Sequence, residues 1–189
     1  MDISNINSLE QFTETVVWMC EQAKTALCFA HGGPADAPPV MLWLGENAWG
    51  ETDLEIVALR MPSNDDPEFT APRILAGALQ DGFVEFGKPK CVAFVSEAFM
   101  KMASSEKEVE DFVRGDLQRR FQDASDLSVV EIISVYAFSP SETMHRVITV
   151  KYNDNGMPEF GRHDEEGNQA TRGAIADVVE QFRVLLNVG

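Results

Sequence analysis

Residues 151–162 read KYNDNGMPEFGR, twelve places rich in oxygen-bearing side chains with Gly at the sixth. Calcium chemistry in an EF-hand loop needs an acidic ligand at the first place and a bidentate Glu at the twelfth. Those places hold Lys151 and Arg162, which would repel the ion. A β-rich run precedes the stretch, and Asn155-Gly156 tolerates the positive φ of a tight turn. The expectation is therefore a strand ending in a turn. Asp154, Glu159, Asp164, Glu165 and Glu166 are read as a solvated acidic loop, with no metal.

A second candidate is VSEAF, with Ser96 and Glu97 at the end of an apolar strand. A serine nucleophile needs a base, usually His. The histidines are His31, His145 and His163, each isolated in sequence, and the G-x-S-x-G elbow is missing. The plainer reading is that Ser96 caps the segment and Glu97 faces solvent. FAHGGP places His31 beside two glycines but lacks the Lys and Ser/Thr of a P-loop, so it reads as the end of a helix. Asp53 and Glu55 alternate on one face of a strand. Nuclease chemistry would pair such acids with a Glu-x-Lys, which occurs nowhere in the chain. H-E-x-x-H, C-x-x-C and H-x-H are also missing, so neither zinc nor any organic cofactor is expected. The stretch VSEAFM resembles a strand ending in Ser-Glu-Ala-aromatic-Met in uncharacterised bacterial and phage proteins, and that resemblance implies no activity.

The elements that would hold these residues follow from periodicity. Ser8 and Gln11 form a capping box ahead of Leu9, Phe12, Val16, Met19, Cys20, Ala23 and Leu27, which predict a helix over 9–28. VMLWLG and LEIVALRM flank a turn and predict a hairpin. Thr70 and Pro72 open a helix whose inward stripe is Leu75, Leu79, Gly82, Phe83 and Phe86. Cys91 to Val95 is apolar on both faces, as in a central strand covered on both sides. A third helix is expected behind Ser105 and Glu108, burying Phe112. Its Arg114, Arg119 and Arg120 follow acids in an order that suits the helix dipole. LSVVEIISVYAFS and HRVITVKYN predict two more strands, and Ile175 to Leu186 a final helix.

The whole is a single α+β domain, 1–189, of order α-β-β-α-β-α-β-β-α, with helices on a mainly antiparallel sheet of about five strands. Without the third helix, that order resembles roadblock and profilin-like domains, an analogy of element order only. Val92, Phe94, Phe112, Val178 and Phe182 are expected to share one interior.

The net charge is −16, spread along the chain, so direct nucleic-acid binding is disfavoured and a basic protein surface is the better match. No apolar run has transmembrane length, and the acidic, polar N-terminus lacks the pattern of a signal peptide. Cys20, Cys28 and Cys91 are an odd number without redox or ligand spacing, which fits reduced thiols in a cytoplasm. The sequence thus points away from catalysis, toward a non-enzymatic acidic interaction module. Such a module would be a regulator or inhibitor of another protein, with phage anti-defence as one form. Its interaction residues are expected at Glu46, Trp49, Glu51, Asp53 and Glu55. Trp49 is the aromatic anchor in that reading, with packing of its loop against the core as the alternative. The competing readings are a small hydrolase or ligand-binding enzyme using Ser96, Glu97 and a histidine such as His31, and a structural homo-oligomer.

Overall fold

Ser8 starts the first helix, α1 (Leu9–His31), by accepting the Gln11 N–H through its hydroxyl at 3.2 Å. Gln11 reaches back to the Asn7 N–H at 2.9 Å, one residue ahead of the cap. The helix runs three residues past the expected end because Phe29, Ala30 and His31 do not break it. Gly32 does, at φ 72°, and the N–H groups of Gly32 and Gly33 then close on the carbonyls of Phe29 and Cys28. The computed structural model describes residues 3–47, 49–59, 71–102, 128–163 and 174–187. The expected helix carrying Phe112, Arg114, Arg119 and Arg120 lies outside them.

After α1 come β1 (Val40–Glu46), β2 (Thr52–Ala58), α2 (Ala71–Phe86), β3 (Cys91–Met102), β4 (Ser128–Phe138), β5 (Thr143–Tyr152), β6 (Pro158–His163) and α3 (Ala174–Asn187). The strands form one antiparallel sheet in the order β2-β1-β3-β4-β5-β6. It has six strands where about five were expected. The extra one, β6, contains Pro158 and Gly161, which weaken a strand signal, and it lies at an edge where such residues are tolerated.

Successive side chains along a strand face opposite ways. On one face Leu42, Ala93, Val95, Ile133, Val135 and Ile148 pack with Phe12, Val16 and Val17 of α1. On the other, Met41, Trp43, Val92, Phe94, Tyr136 and Phe138 pack with Leu75 and Leu79 of α2 and with Val179, Phe182 and Leu186 of α3. The expected interior thus forms around Val92, Phe94, Val178 and Phe182, with Phe112 outside the described residues. Phe83, expected inward, is 44% exposed. The contact is made by Gly82 instead, where an added Cβ would come within 2.9 Å of the Trp43 ring. Close approach at Gly82 turns Phe83 toward the rim, where its ring centroid is 6.3 Å from that of Phe182.

The stretch first considered for calcium is a hairpin. Asn153 Oδ1 accepts the N–H groups of Asn155 and Met157, and Gly156 sits at φ 72° between β5 and β6. A Cβ at Gly156 would lie 3.0 Å from the Gly33 Cα, so the turn packs on the loop that leaves α1. Gly156→Ala is expected to cost about 1–2 kcal/mol from the left-handed conformation alone. A urea midpoint equal to that of the parent would contradict this.

Candidate functional site

Lys24 is the feature that the periodicity obscured. The apolar stripe was read through Ala23 and Leu27, but Ala23 is exposed and the buried line runs through Val17, Lys24 and Cys28. Lys24 is 1% exposed, and its Nζ lies 3.0 Å from Glu97 Oε1 on β3 and 2.7 Å from Glu131 Oε1 on β4. It also donates to the Ala35 carbonyl at 2.7 Å, while Glu97 Oε2 accepts the Ala37 N–H at 3.0 Å. The Tyr152 hydroxyl donates to Glu131 at 2.9 Å. One ammonium thus joins the helix, two strands and the segment before β1. Two signals were available in sequence: a lysine in line with buried helix positions, and a glutamate inside the apolar run SVVEIISV.

Glu97 was expected to face solvent. The structure turns it inward, because residue 97 shares the α1 face with Ala93 and Val95 and meets a buried cation there. Carboxylate oxygens of Asp36, Glu97 and Glu131 lie within 4.8 Å of one another, a spacing that could suit a metal. The Lys24 ammonium stands against two of the three, Glu97 and Glu131.

Burial opposes charge on Lys24, but its hydrogen bonds to Glu131, Glu97 and Tyr152 outweigh that and hold its pKa above the ordinary lysine value. Burial also pushes Tyr152 and Cys20 up to about 12, and Cys91 up to about 11. All four groups keep their protons to higher pH in the folded chain than in the unfolded one. Their contribution is complete below the unfolded pKa values and is lost as pH climbs through the folded ones. The urea midpoint is therefore expected to fall between about pH 9 and pH 12, with the cysteines acting at the lower end. A midpoint level across that window would refute the assignment.

The catalytic candidates are separated. Ser96 and Glu97 are neighbours on β3 and so face opposite sides of the sheet. His31 is exposed at the end of α1, on another element. Ser96 is the cross-strand partner of Ser134, whose Oγ lies 2.9 Å from His145 Nε2. The hydroxyl bonded to a histidine is thus on β4, and alternation along the strands puts Ser96 on the same face. A wider hollow of about 660 Å³ between α2 and α3 is lined by Leu79, Phe83, Val84, Val178, Phe182 and Leu186, among others, and by no acid or base among the described residues.

The hairpin of β1 and β2 gathers acids. Glu46, Asp53 and Glu55 line a hollow of about 210 Å³ together with Glu85 and Phe86 from the end of α2, and Trp43 and Gly45 also line it. The register makes Glu55 the direct partner of Trp43 and Asp53 the partner of Gly45. Glu46 pairs with Lys90 at 2.9 Å on the exposed rim. Asp53, Glu55 and Glu85 have no cationic partner among the described residues. Glu51 and Trp49 sit at the tip of the hairpin, outside that lining. There Asn47 Oδ1 accepts both of their N–H groups, and Trp49 is 84% exposed rather than packed on the core. Glu85 was missed because nothing local links the end of α2 to a hairpin thirty residues earlier. No helix among the described residues is long and apolar enough to cross a membrane. No protein-family model matches the chain, and neither a curated protein nor a solved structure shows significant similarity to it.

Proposed function

We propose that this chain is a non-enzymatic acidic interaction module, a regulator or inhibitor that meets a basic protein surface through the β1–β2 hairpin. The observation that supports this reading is the grouping of Glu46, Asp53, Glu55 and Glu85 around one hollow, three of them without a cation among the described residues. The exposed Trp49 beside them is a residue type favoured in interface hot spots. The Lys24 ammonium is buried and ties α1 to β3 and β4 through Glu97 and Glu131, which suits holding the fold together rather than turnover. Three cysteines without a disulfide fit work in a reducing cytoplasm. The likeness to roadblock and profilin-like domains belongs to this reading as an analogy: a helix, a hairpin, a second helix, further antiparallel strands and a closing helix.

The test is to capture partners from the native cytoplasm and measure association rates across salt. Changing Glu46, Glu51 and Glu55 to Gln and Asp53 to Asn together should slow association about tenfold or more at low salt, and the difference should fade as salt rises. A captured partner whose rate ignores both salt and the four substitutions would remove the acidic mechanism.

The Ser134–His145 contact favours a second reading, a small hydrolase with its hydroxyl on β4 or, across from it, at Ser96. Hydrolysis of an ester panel that disappears in Ser134→Ala or Ser96→Ala would bring that reading forward.

A further inference from the structure

Among the described residues the sheet ends at β2 on one side and at β6 on the other. Antiparallel partners alternate between pairs that exchange backbone bonds and pairs that do not. The Leu59 N–H donates to the Pro39 carbonyl and the Asn47 N–H to the Glu51 carbonyl, so bonding between β1 and β2 falls on the odd-numbered residues. Thr52, Leu54, Ile56 and Ala58 therefore direct their backbone groups away from β1, toward the edge. Beside β6, the Asn153 N–H donates to the Met157 carbonyl, and the register then leaves Pro158, Phe160 and Arg162 directed outward.

A row of unpaired backbone groups is a template on which another strand can form. Each edge of this sheet has lost one donor. Asp53 Oδ1 accepts the outward N–H of Leu54 at 2.9 Å. Pro158 has no N–H to offer. Without such closure β2 would present Ile56, 55% exposed, and the exposed Ala58 to a second strand. The short turn Ile3–Asn5 also lies against β2, and Ile6 behind it joins the core on the α1 face together with Leu54.

Two copies of β2 paired antiparallel over Thr52–Ala58 would be centred on Glu55 and would bond Leu54 to the partner's Ile56. The Asp53 carboxylate occupies the Leu54 donor in each copy. The two Glu55 side chains would also stand directly opposite one another, where like charges repel.

We infer that Asp53 and Pro158 close the two edges of the sheet to strand addition, so that the folded chain does not pair with a second copy through its backbone. A homo-oligomer built by strand pairing is thereby disfavoured, and side chains are left as the means of meeting a partner. Closure of the edges does not depend on the acidic module. Asp53→Asn removes the charge but keeps an acceptor oxygen, whereas Asp53→Ala removes both.

The test is sedimentation equilibrium of the full chain across a concentration series, in high salt so that charge repulsion is screened. The parent and Asp53→Asn should remain monomers. Asp53→Ala should self-associate roughly 5- to 100-fold more tightly than Asp53→Asn, because two Leu54 donors return per pair. Pro158→Val should show the same gain over the parent, and the double variant, open at both edges, should grow beyond dimers. Urea midpoints establish that each variant is folded.

Amide exchange by NMR locates the contact. In the parent, Leu54 should exchange more slowly than Ile56 and Ala58. With rising concentration Ile56 and Ala58 should gain protection in Asp53→Ala, and Phe160 and Arg162 in Pro158→Val. Equal association of Asp53→Ala and Asp53→Asn, or a Leu54 amide in the parent that exchanges as fast as Ile56, would overturn closure at β2. Equal association of Pro158→Val and the parent would overturn it at β6. Association that leaves all four edge amides unprotected would overturn both.

Discussion

Lys24→Met is expected to destabilise the protein by about 3–5 kcal/mol, the usual cost of removing one partner from a buried ion pair. The reason is not the loss of an attraction alone. Glu97 and Glu131, with side chains 13% exposed, would be left facing each other without the ammonium that now stands 3.0 and 2.7 Å from them. The Ala35 carbonyl would lose its donor as well. Adding Glu97→Gln and Glu131→Gln to Lys24→Met should recover most of the loss, because the stranded charges are gone and the amides keep some hydrogen bonding. Urea denaturation of the single and triple variants checks this. A triple variant no more stable than Lys24→Met would show that packing of the lysine stem, rather than charge compensation, dominates.

Phe182→Ala should cost a similar amount, about 3–5 kcal/mol. Its ring meets three others, with centroids 6.1 Å from Trp43, 6.3 Å from Phe83 and 6.1 Å from Phe138, all near edge-to-face. Removing it opens a cavity where α3, α2 and the sheet converge. Val184, two residues along the same helix, is 55% exposed, and Val184→Ala should stay within about 0.5 kcal/mol. Equal effects from the two substitutions would mean that α3 does not dock through this face.

The comparison with the sequence turns on particular residues. The central strand was legible because Cys91 to Val95 is apolar at every place, and a strand covered on both faces needs just that pattern. The start of α1 was legible because capping is local chemistry. Its second half was misread because the periodicity was traced through apolar residues alone, whereas burial there depends on carboxylates supplied by β3 and β4. β6 was missed because proline and glycine weaken its local signal. Three of the five hairpin residues singled out from sequence line the hollow, since they lie close together along one short turn. Glu85 could not be read, because only the packing of α2 on β1 brings it to the hairpin.

The strand order has a kinetic consequence. β1–β2, β4–β5 and β5–β6 are joined by short turns and can zip locally. The β1–β3 seam must close a loop from Glu46 to Cys91, the longest among the paired strands, and loop-closure entropy delays such a contact. Trp43 pairs with Val92 on that seam and with Glu55 on the other side. Trp43, which lines the acidic hollow, is therefore expected to be held from both sides only when the slowest pairing is complete. A nascent or half-folded chain would display its acids without the floor between them, so recognition would be restricted to finished molecules.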